Sequence, residues 1–274
     1  MKNLVVIVQA RMGSSRLPGK VMLRAAGMPL LELMLRRLRR LRTRAEVVVA
    51  TTVAAEDAPI RSLCRRLGVG CMSGHPTDLL DRHYRVALEF QADAVAKIPS
   101  DCPLIDPNIA EHVLARFALG DVDFVSNLRP PSWPDGNDVE VMSFEALETA
   151  FHEAKRDFER EHTTPFIWEN PGRFRLANVS ALSSAGDPSA PSLAQSHRFT
   201  LDYGEDHELI AQVVERLLPE FGVDFGVEQI LELCAREPQL LEINAMRKNS
   251  AWYLSHLGDF KTLRRGQAGG LQWI

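Results

Sequence analysis

Over roughly the first 120 residues the hydrophobic pattern switches repeatedly between two periods, and no other feature limits the possible folds as much. "NLVVIVQA" (3–10) is a continuous β-rich apolar run, the pattern of a strand covered on both faces. "PLLELMLRRLRRL" (29–41) has helical spacing, with Leu30, Met34, Leu38 and Leu41 on one face and arginines on the other. "EVVVATT" (46–52) is a second buried strand, and "EDAPIRSLCRRLG" (56–68) a helix with acids in its first turn and Gly68 just past its end. "VGCMSG" (69–74) and "DAVAKIPSD" (93–101) are further strands, each followed by a helical pattern, "PTDLLDRHYRVALEF" (76–90) and "DPNIAEHVLARF" (106–117). Strand–helix alternation predicts right-handed crossovers and an α/β fold with a mainly parallel sheet and helices on both faces. Ligands of such sheets bind outside the carboxyl ends of the strands.

The pattern then changes. "DFVSN" (123–127) leads into the turn-rich "LRPPSWPDGN", and "DVEVMSFEAL" reads as a strand entering a helix. "RFRLANVSAL" (173–182) and "HRFTLDY" (197–203) alternate like half-exposed strands, with the loop "SSAGDPSAPS" between them. "EDHELIAQVVERLL" (205–218) and "VEQILELCAR" (227–236) are helical, whereas the tail from about 244 has no clear period. With no internal repeat and no long linker, the organisation expected is one mixed α/β domain over residues 1–243. It contains a β-rich inserted region at about 128–196, and residues 244–274 form a C-terminal extension.

A formal net charge of -4 argues against a dedicated nucleic-acid binder, and Arg36, Arg37, Arg39 and Arg40 read as a solvated helix face. Cys64, Cys71, Cys102 and Cys234 form no C-x-x-C pair, so they read as reduced thiols rather than a zinc site. No stretch approaches the ~20 apolar residues of a spanning helix. The first apolar run is too short for a secretory leader, so a soluble cytoplasmic protein with no membrane partner is expected.

"VQARMGSSRLPGK" (8–20) follows the first strand and places three cations, Arg11, Arg16 and Lys20, at the ligand-binding edge of the sheet. They repel one another unless an anion shares the site. The spacing of Gly13 and Gly19 does not match G-x-x-x-x-G-K-[ST], and no G-x-G-x-x-G is present. The remaining readings are a solvated loop shaped by Gly13, Pro18 and Gly19, or a triphosphate cradle. In the cradle, backbone N–H groups approach phosphate oxygens, Ser14 and Ser15 donate hydrogen bonds, and Arg16 and Lys20 neutralise charge.

This loop resembles the signature of the sugar-activating cytidylyltransferases, the acylneuraminate and 3-deoxy-manno-octulosonate type. Within them it is most similar to the branch named for spore coat polysaccharide biosynthesis protein F. The resemblance continues in "SGHPTDLLDRHYRVA" (73–87), "IPSDCPLIDP" (98–107), "PDGNDVEVMSFEAL" (134–147), "EREHTTPFI" (159–167) and "RFTLDYGEDHEL" (198–209). It implies a Rossmann-like nucleotidyltransferase fold with a mixed sheet, often dimerised through an inserted arm. It also implies transfer of CMP from CTP to a hydroxyl of a sugar or sugar acid, with Mg2+ and release of pyrophosphate.

By the same resemblance Arg11, Ser15, Arg16 and Lys20 hold the triphosphate, Ala10 and Arg11 lie beside the base, and Gly74, Asp78 and Arg82 border the nucleotide. Asp78 and Arg82 equally fit an i,i+4 helix pair. Asp101 and Asp202 match the two metal-binding aspartates. The family more often carries Thr-Pro after the second, where this chain has Tyr203-Gly204. Asp101 ends a buried strand, where a charge needs a partner, and Asp202 sits at a strand-to-helix junction. Two carboxylates meeting there without a cation would repel, and at least one should then have a raised pKa. Arg16, Lys20 and Asp101 are therefore the expected catalytic groups. Arg160 and His162 are substrate candidates, a cation for a sugar carboxylate and a polar partner for hydroxyls, with Asp135, Asn137 and Glu140 as further hydroxyl-binding candidates. Trp133 fits either a lid or a loop anchor. Glu205 and Asp206 read as first-turn helix acids, Asp106 as an N-cap, and the D-x-D of Asp121 and Asp123 as a solvated turn. Without a strand-terminal D-x-D, a glycosyltransferase using a nucleotide sugar is the lesser alternative, beside a non-catalytic nucleotide-binding module of a glycan assembly complex.

Overall fold

The opening apolar run becomes β1 (Leu4–Gln9), a strand at the middle of the sheet. The computed structural model describes residues 3–181, 193–248, 256–265 and 271–273. After β1 come a small ribbon, β2 (Arg24–Ala25) and β3 (Met28–Pro29), then α1 (Leu30–Leu38), β4 (Glu46–Thr52), α2 (Ala58–Leu67), β5 (Gly70–Gly74) and α3 (Leu79–Glu89). The parallel half closes with β6 (Ala94–Pro99) and α4 (Pro107–Ala118). Beyond it lie β7 (Phe124–Ser126), β8 (Glu140–Ser143), α5 (Phe144–Glu153), α6 (Asp157–His162), α7 (Pro165–Trp168), β9 (Leu176–Asn178) and α8 (Leu193–Ser196). The chain continues through α9 (Gly204–Phe221) and α10 (Val227–Arg236) to a ribbon of β10 (Leu263–Arg265) and β11 (Leu271–Trp273).

The main sheet has the order β5-β4-β1-β6-β8-β7-β9. The first four are parallel neighbours, and β8 runs antiparallel to both β6 and β7. Alternation along β1 sends Leu4, Val6 and Val8 toward α1, α2 and α4, and Val5 and Ile7 toward α3, α5 and α7. A third apolar cluster joins α9 and α10 to Leu30 and Leu33 of α1. So α1 is covered on two sides, which explains a departure from expectation. Arg37 is not solvated but fully buried, donating to the carbonyls of Ile105 (2.9 Å), Leu104 (3.2 Å) and Val223 (2.8 Å), with its guanidinium 4.3 Å from the Phe225 ring. Its neighbours Arg36 and Arg40 pair with Glu32 and Asp224.

Two further expectations change. The region 128–196 is less β-rich than its alternation suggested: β8 and β9 join the main sheet, and much of the rest is the short helices α5 to α8. The stretch 197–203 forms no strand, only an isolated bridge between Asp135 and Arg198. Its backbone groups are taken instead by the loop at 135 and by Asp101. The serine- and proline-rich segment 183–192 lies outside the described residues. Among those described, no helix is long and apolar enough to cross a membrane.

The bridge at Asp135 depends on a glycine. Gly136 has φ +103°, and a Cβ there would lie 2.6 Å from the carbonyl carbon of Phe199 and 2.8 Å from the nitrogen of Thr200. Both neighbours are backbone, so neither can rotate away. Gly136→Ala is therefore expected to destabilise the fold by roughly 1–3 kcal/mol, read as a lower midpoint in urea denaturation. An unchanged midpoint would show that this close approach is not required.

Candidate active site

At the end of β1 the chain turns across the carboxyl edge of the sheet and is held by its own backbone. The Met12 carbonyl accepts from the N–H groups of Ser14 and Gly19, both at 2.9 Å, and Gly19 takes the left-handed φ of +69° that closes the loop. The Met12 N–H donates to Asp57 at 2.7 Å. Asp57 is fully buried and also accepts from the Thr52 N–H at 3.1 Å and from the Thr52 hydroxyl. Burial alone would raise its pKa, but the bonds from Met12 and Thr52 hold it below the usual carboxylate value. The loop is thus pinned to the start of α2 by an ionised carboxylate, a role that first-turn acidity alone did not disclose.

The pinned loop aims Lys20 inward and leaves Arg16 at the surface. Lys20 Nζ donates to the Leu201 carbonyl (2.7 Å) and Asp202 Oδ1 (2.9 Å), and lies 3.4 Å from Asp101 Oδ2. Arg16 Nη2 reaches Asp202 Oδ1 at 2.6 Å, and its guanidinium lies 5.4 Å from the Tyr203 ring centroid. The backbone brings the two aspartates together. The Asp101 carbonyl at the end of β6 accepts from the Leu201 N–H at 2.7 Å and the Thr200 hydroxyl at 3.2 Å. Arg16, Lys20, Asp101 and Asp202, far apart in sequence, therefore meet in one network.

Behind Asp202 stands Arg198, which sequence reasoning did not single out. It is 4% exposed and donates to Asp135 (2.9 Å), Asp202 (3.2 Å) and both oxygens of Asp206 (3.1 Å). Asp206, read as a helix-start acid, is fully buried and also accepts from the N–H groups of Asp202 and Tyr203 at 3.0 Å. The spacing of four between Arg198, Asp202 and Asp206 was the available signal. Asp135 is joined to this network through Arg198.

Cations at the two aspartates set the charge balance. Burial would raise the Asp202 pKa, but Lys20, Arg16 and Arg198 hold it below the usual value. Lys20 is pulled the other way. Burial would lower its pKa, yet Asp101 and Asp202 raise it. The raised carboxyl is Asp135, pushed to about 6 by burial despite Arg198, with Asp101 and Asp202 adding to the rise. Asp138 is pushed up as well, by burial and then by Asp135 and Asp101.

The other candidates fall into two neighbouring groups. Ala10 is buried at the end of β1, and its N–H donates to the Ala50 carbonyl. Arg11 Nη1 donates to the Pro76 carbonyl at 3.0 Å, tying the loop to the segment after β5. Arg82 is 3% exposed and donates to the Ala50 carbonyl at 3.1 Å. It lies so close under Gly74 that a Cβ there would meet its Cγ at 2.8 Å. Burial, then the Arg11 charge, lowers the Arg82 pKa to about 10. Asp78 does not form the i,i+4 pair with Arg82. It caps α3 by accepting from the Asp81 N–H and takes Arg160 instead, at 2.8 and 2.6 Å. Gly13 and Ser15 are exposed on the loop, and Ser14 accepts from the Leu17 N–H.

The second group is buried. Glu140 is 2% exposed and accepts from Lys97 (2.6 Å), Arg129 (2.8 Å) and the Thr164 hydroxyl (2.8 Å). Both of its oxygens are engaged within the protein by these three groups, so it is not an open hydroxyl-binding group. His162 lies 6.2 Å from His256, ring to ring, and burial, then Lys97, lowers its pKa to about 3. Asn137 is also internal: it accepts from the Asp106 N–H, donates to the Pro134 carbonyl, and takes up Asn127 on its own carbonyl. The D-x-D lies in surface ion pairs, Asp121 with Arg116 and Asp123 with Arg175.

A family model described as cytidylyltransferase matches residues 5–233. An uncharacterised protein of Methanocaldococcus jannaschii is 31% identical over 243 residues, 89% of this chain and 95% of that one. Spore coat polysaccharide biosynthesis protein SpsF of Bacillus subtilis is 26% identical over 245 residues, 87% of this chain and 96% of that one. A solved cytidylyltransferase from Leptospira borgpetersenii superposes with a TM-score of 0.79 at 26% identity, covering 92% of this chain and 99% of the other.

The Glu140 cluster generates its own test. Glu140→Gln leaves Lys97 and Arg129 facing a neutral amide in a buried site, and should cost about 3–5 kcal/mol of stability. Burial would raise the Glu140 pKa, but Lys97 and then Arg129 bring it down to about 2, from an ordinary 4.5. Its contribution is therefore complete above the unfolded value and lost as pH falls from about 4.5 toward 2. Denaturation curves across that window should show acid sensitivity in the native protein and a flatter profile in Glu140→Gln. Parallel profiles would contradict this assignment.

Proposed function

The chain belongs to the cytidylyltransferase family, CTP-dependent nucleotidyltransferases, and from that premise we propose that it transfers CMP from CTP to a hydroxyl of a sugar or sugar acid, releasing pyrophosphate. The observation that carries the proposal is the meeting of Lys20, Arg16, Asp101 and Asp202 at the carboxyl edge of the sheet. The Bacillus subtilis relative is named for polysaccharide biosynthesis, which supports a sugar as acceptor.

In this reading the loop of residues 11–20 receives the triphosphate, with Arg16 and Lys20 exchanging carboxylate oxygens for phosphate oxygens as CTP enters. Ala10, Arg11, Gly74 and Arg82 form the neighbouring wall for the nucleoside. Asp101 and Asp202 present hard oxygen donors on either side of Lys20, and the described residues contain no group of three or more His, Cys, Asp or Glu able to hold an ion alone. That donor set fits Mg2+, which usually takes one or two carboxylates and completes its shell with phosphate oxygens and water. When bound there it would neutralise charge building on the phosphates. The protein's own part is positioning: the loop fixes the triphosphate and Asp101 stays partly open to the incoming group, so that an acceptor hydroxyl can attack the α-phosphorus in line.

Arg16→Ala and Lys20→Ala should each weaken CTP binding by roughly 1.5–3 kcal/mol, measured by isothermal titration. They should differ in stability. Arg16 is 43% exposed and its loss leaves the fold intact, whereas removing buried Lys20 leaves two carboxylates without their shared cation and lowers the melting temperature. Asp101→Asn should abolish pyrophosphate release with CTP, Mg2+ and a panel of sugars and sugar acids, while keeping the fold. Activity within a fewfold of the native protein would remove Asp101 from the reaction.

A further inference from the structure

The matched domain ends at residue 233, yet the chain returns to the active site after it. Asn244 is 1% exposed, and its side-chain amide donates to Asp206 Oδ1 at 2.9 Å and to the Arg198 carbonyl at 3.0 Å. These are the two residues that fix Asp202 from behind. Three residues later Arg247 places its guanidinium 4.0 Å from the Tyr203 ring centroid and pairs with Glu205 at 3.0 Å. Arg16 of the nucleotide loop lies over the same ring.

From these contacts we propose that residues 244–247 are an active-site clamp: Asn244 anchors the Asp202 loop, and Arg247 sets the Tyr203 ring on which Arg16 rests. Both are positioning residues. Arg247 acts through Tyr203, and Tyr203 acts on the guanidinium that meets the triphosphate. The physical basis is the preference of a guanidinium for an aromatic face, strongest where the partner is held in place. Tyr203 is a half-buried ring at a helix start, and among the described residues Arg16 and Arg247 both lie over it. The charges do not oppose the arrangement, since Arg247 is balanced by Glu205 and Arg16 by Asp202. The proposal rests on reading Arg16 as a triphosphate ligand.

The test is CTP affinity by isothermal titration in the presence of Mg2+, on the full chain. The proteins compared are the native one, Arg247→Ala, Tyr203→Phe, Tyr203→Ala and the double variant Tyr203→Ala with Arg247→Ala. Arg247 and Tyr203 are partly exposed, so these changes should leave the fold intact, and melting temperatures recorded alongside verify it. Arg247→Ala and Tyr203→Ala should each weaken binding about five- to tenfold. Tyr203→Phe keeps the ring and should bind like the native protein. The double variant should bind no more weakly than the weaker single one, because both act through one stack. A merely structural role would lower the melting temperature together with affinity, whereas the clamp lowers affinity at an unchanged melting temperature. CTP binding by the native protein with unchanged affinity in Arg247→Ala, or multiplying effects in the double variant, would overturn the clamp alone. Failure of the native protein to bind CTP would overturn the nucleotide reading and the clamp with it.

Discussion

One ammonium group, Lys20 Nζ, holds two carboxylates from distant parts of the chain at the edge of a parallel sheet. Without it Asp101 and Asp202 would repel, and Asp202, which is largely buried, would keep only Arg16 and Arg198 to offset that repulsion and the cost of its burial. With it, Asp202 is held as a carboxylate by three cations, Lys20, Arg16 and Arg198. The same contact requires several parts of the fold at once. The loop must be pinned by Asp57, the backbone of 200–201 must dock on Asp101, and Gly136 must let the loop at 135 pass against Phe199. A buried charge network of this kind tolerates the loss of one member poorly, because the remaining charges lose their compensation.

In the proposed reading the network exchanges partners when the nucleotide binds. Arg16 lies at the surface and Lys20 on the same loop, while Arg198 and Asp206 are buried behind Asp202 and bound to each other through two bonds. A triphosphate could therefore take over the front pair of cations without releasing the rear pair. Lys97, Arg129 and Glu140 form a separate charge cluster across the β6–β8 register, where Lys97 stands directly opposite Glu140. Asp138 senses both clusters electrostatically.

The parallel half of the fold was legible because its signals are local. Continuous apolar runs, helical spacing and helix-end residues placed β1, β4, β5, β6 and the helices between them within a few positions. The loop of residues 8–20 and Asp101 announced themselves by charge at strand ends. What sequence hid was tertiary. Arg37 looked solvated because its covering layer, α9 and α10, comes nearly two hundred residues later. The run 197–203 alternated like a strand but gave its hydrogen bonds to loops. Asp57 and Asn244 carry no motif, and Arg198 stands in one without showing its role, since the importance of all three lies in what folds against them. Asp78 and Arg160 were each legible as polar site candidates, but not as partners of one another across 82 positions.

The account stands or falls on whether Asp101 and Asp202 share one cation with a bound nucleotide. The direct measurement is a crystal structure of the full chain with CTP and Mn2+ in place of Mg2+, with anomalous scattering used to locate the ion. The account predicts an anomalous peak coordinated by both carboxylates and by phosphate oxygens, with Arg16 and Lys20 turned onto the triphosphate. A peak bound away from the two aspartates, or a triphosphate lying outside the loop of residues 11–20, would contradict it.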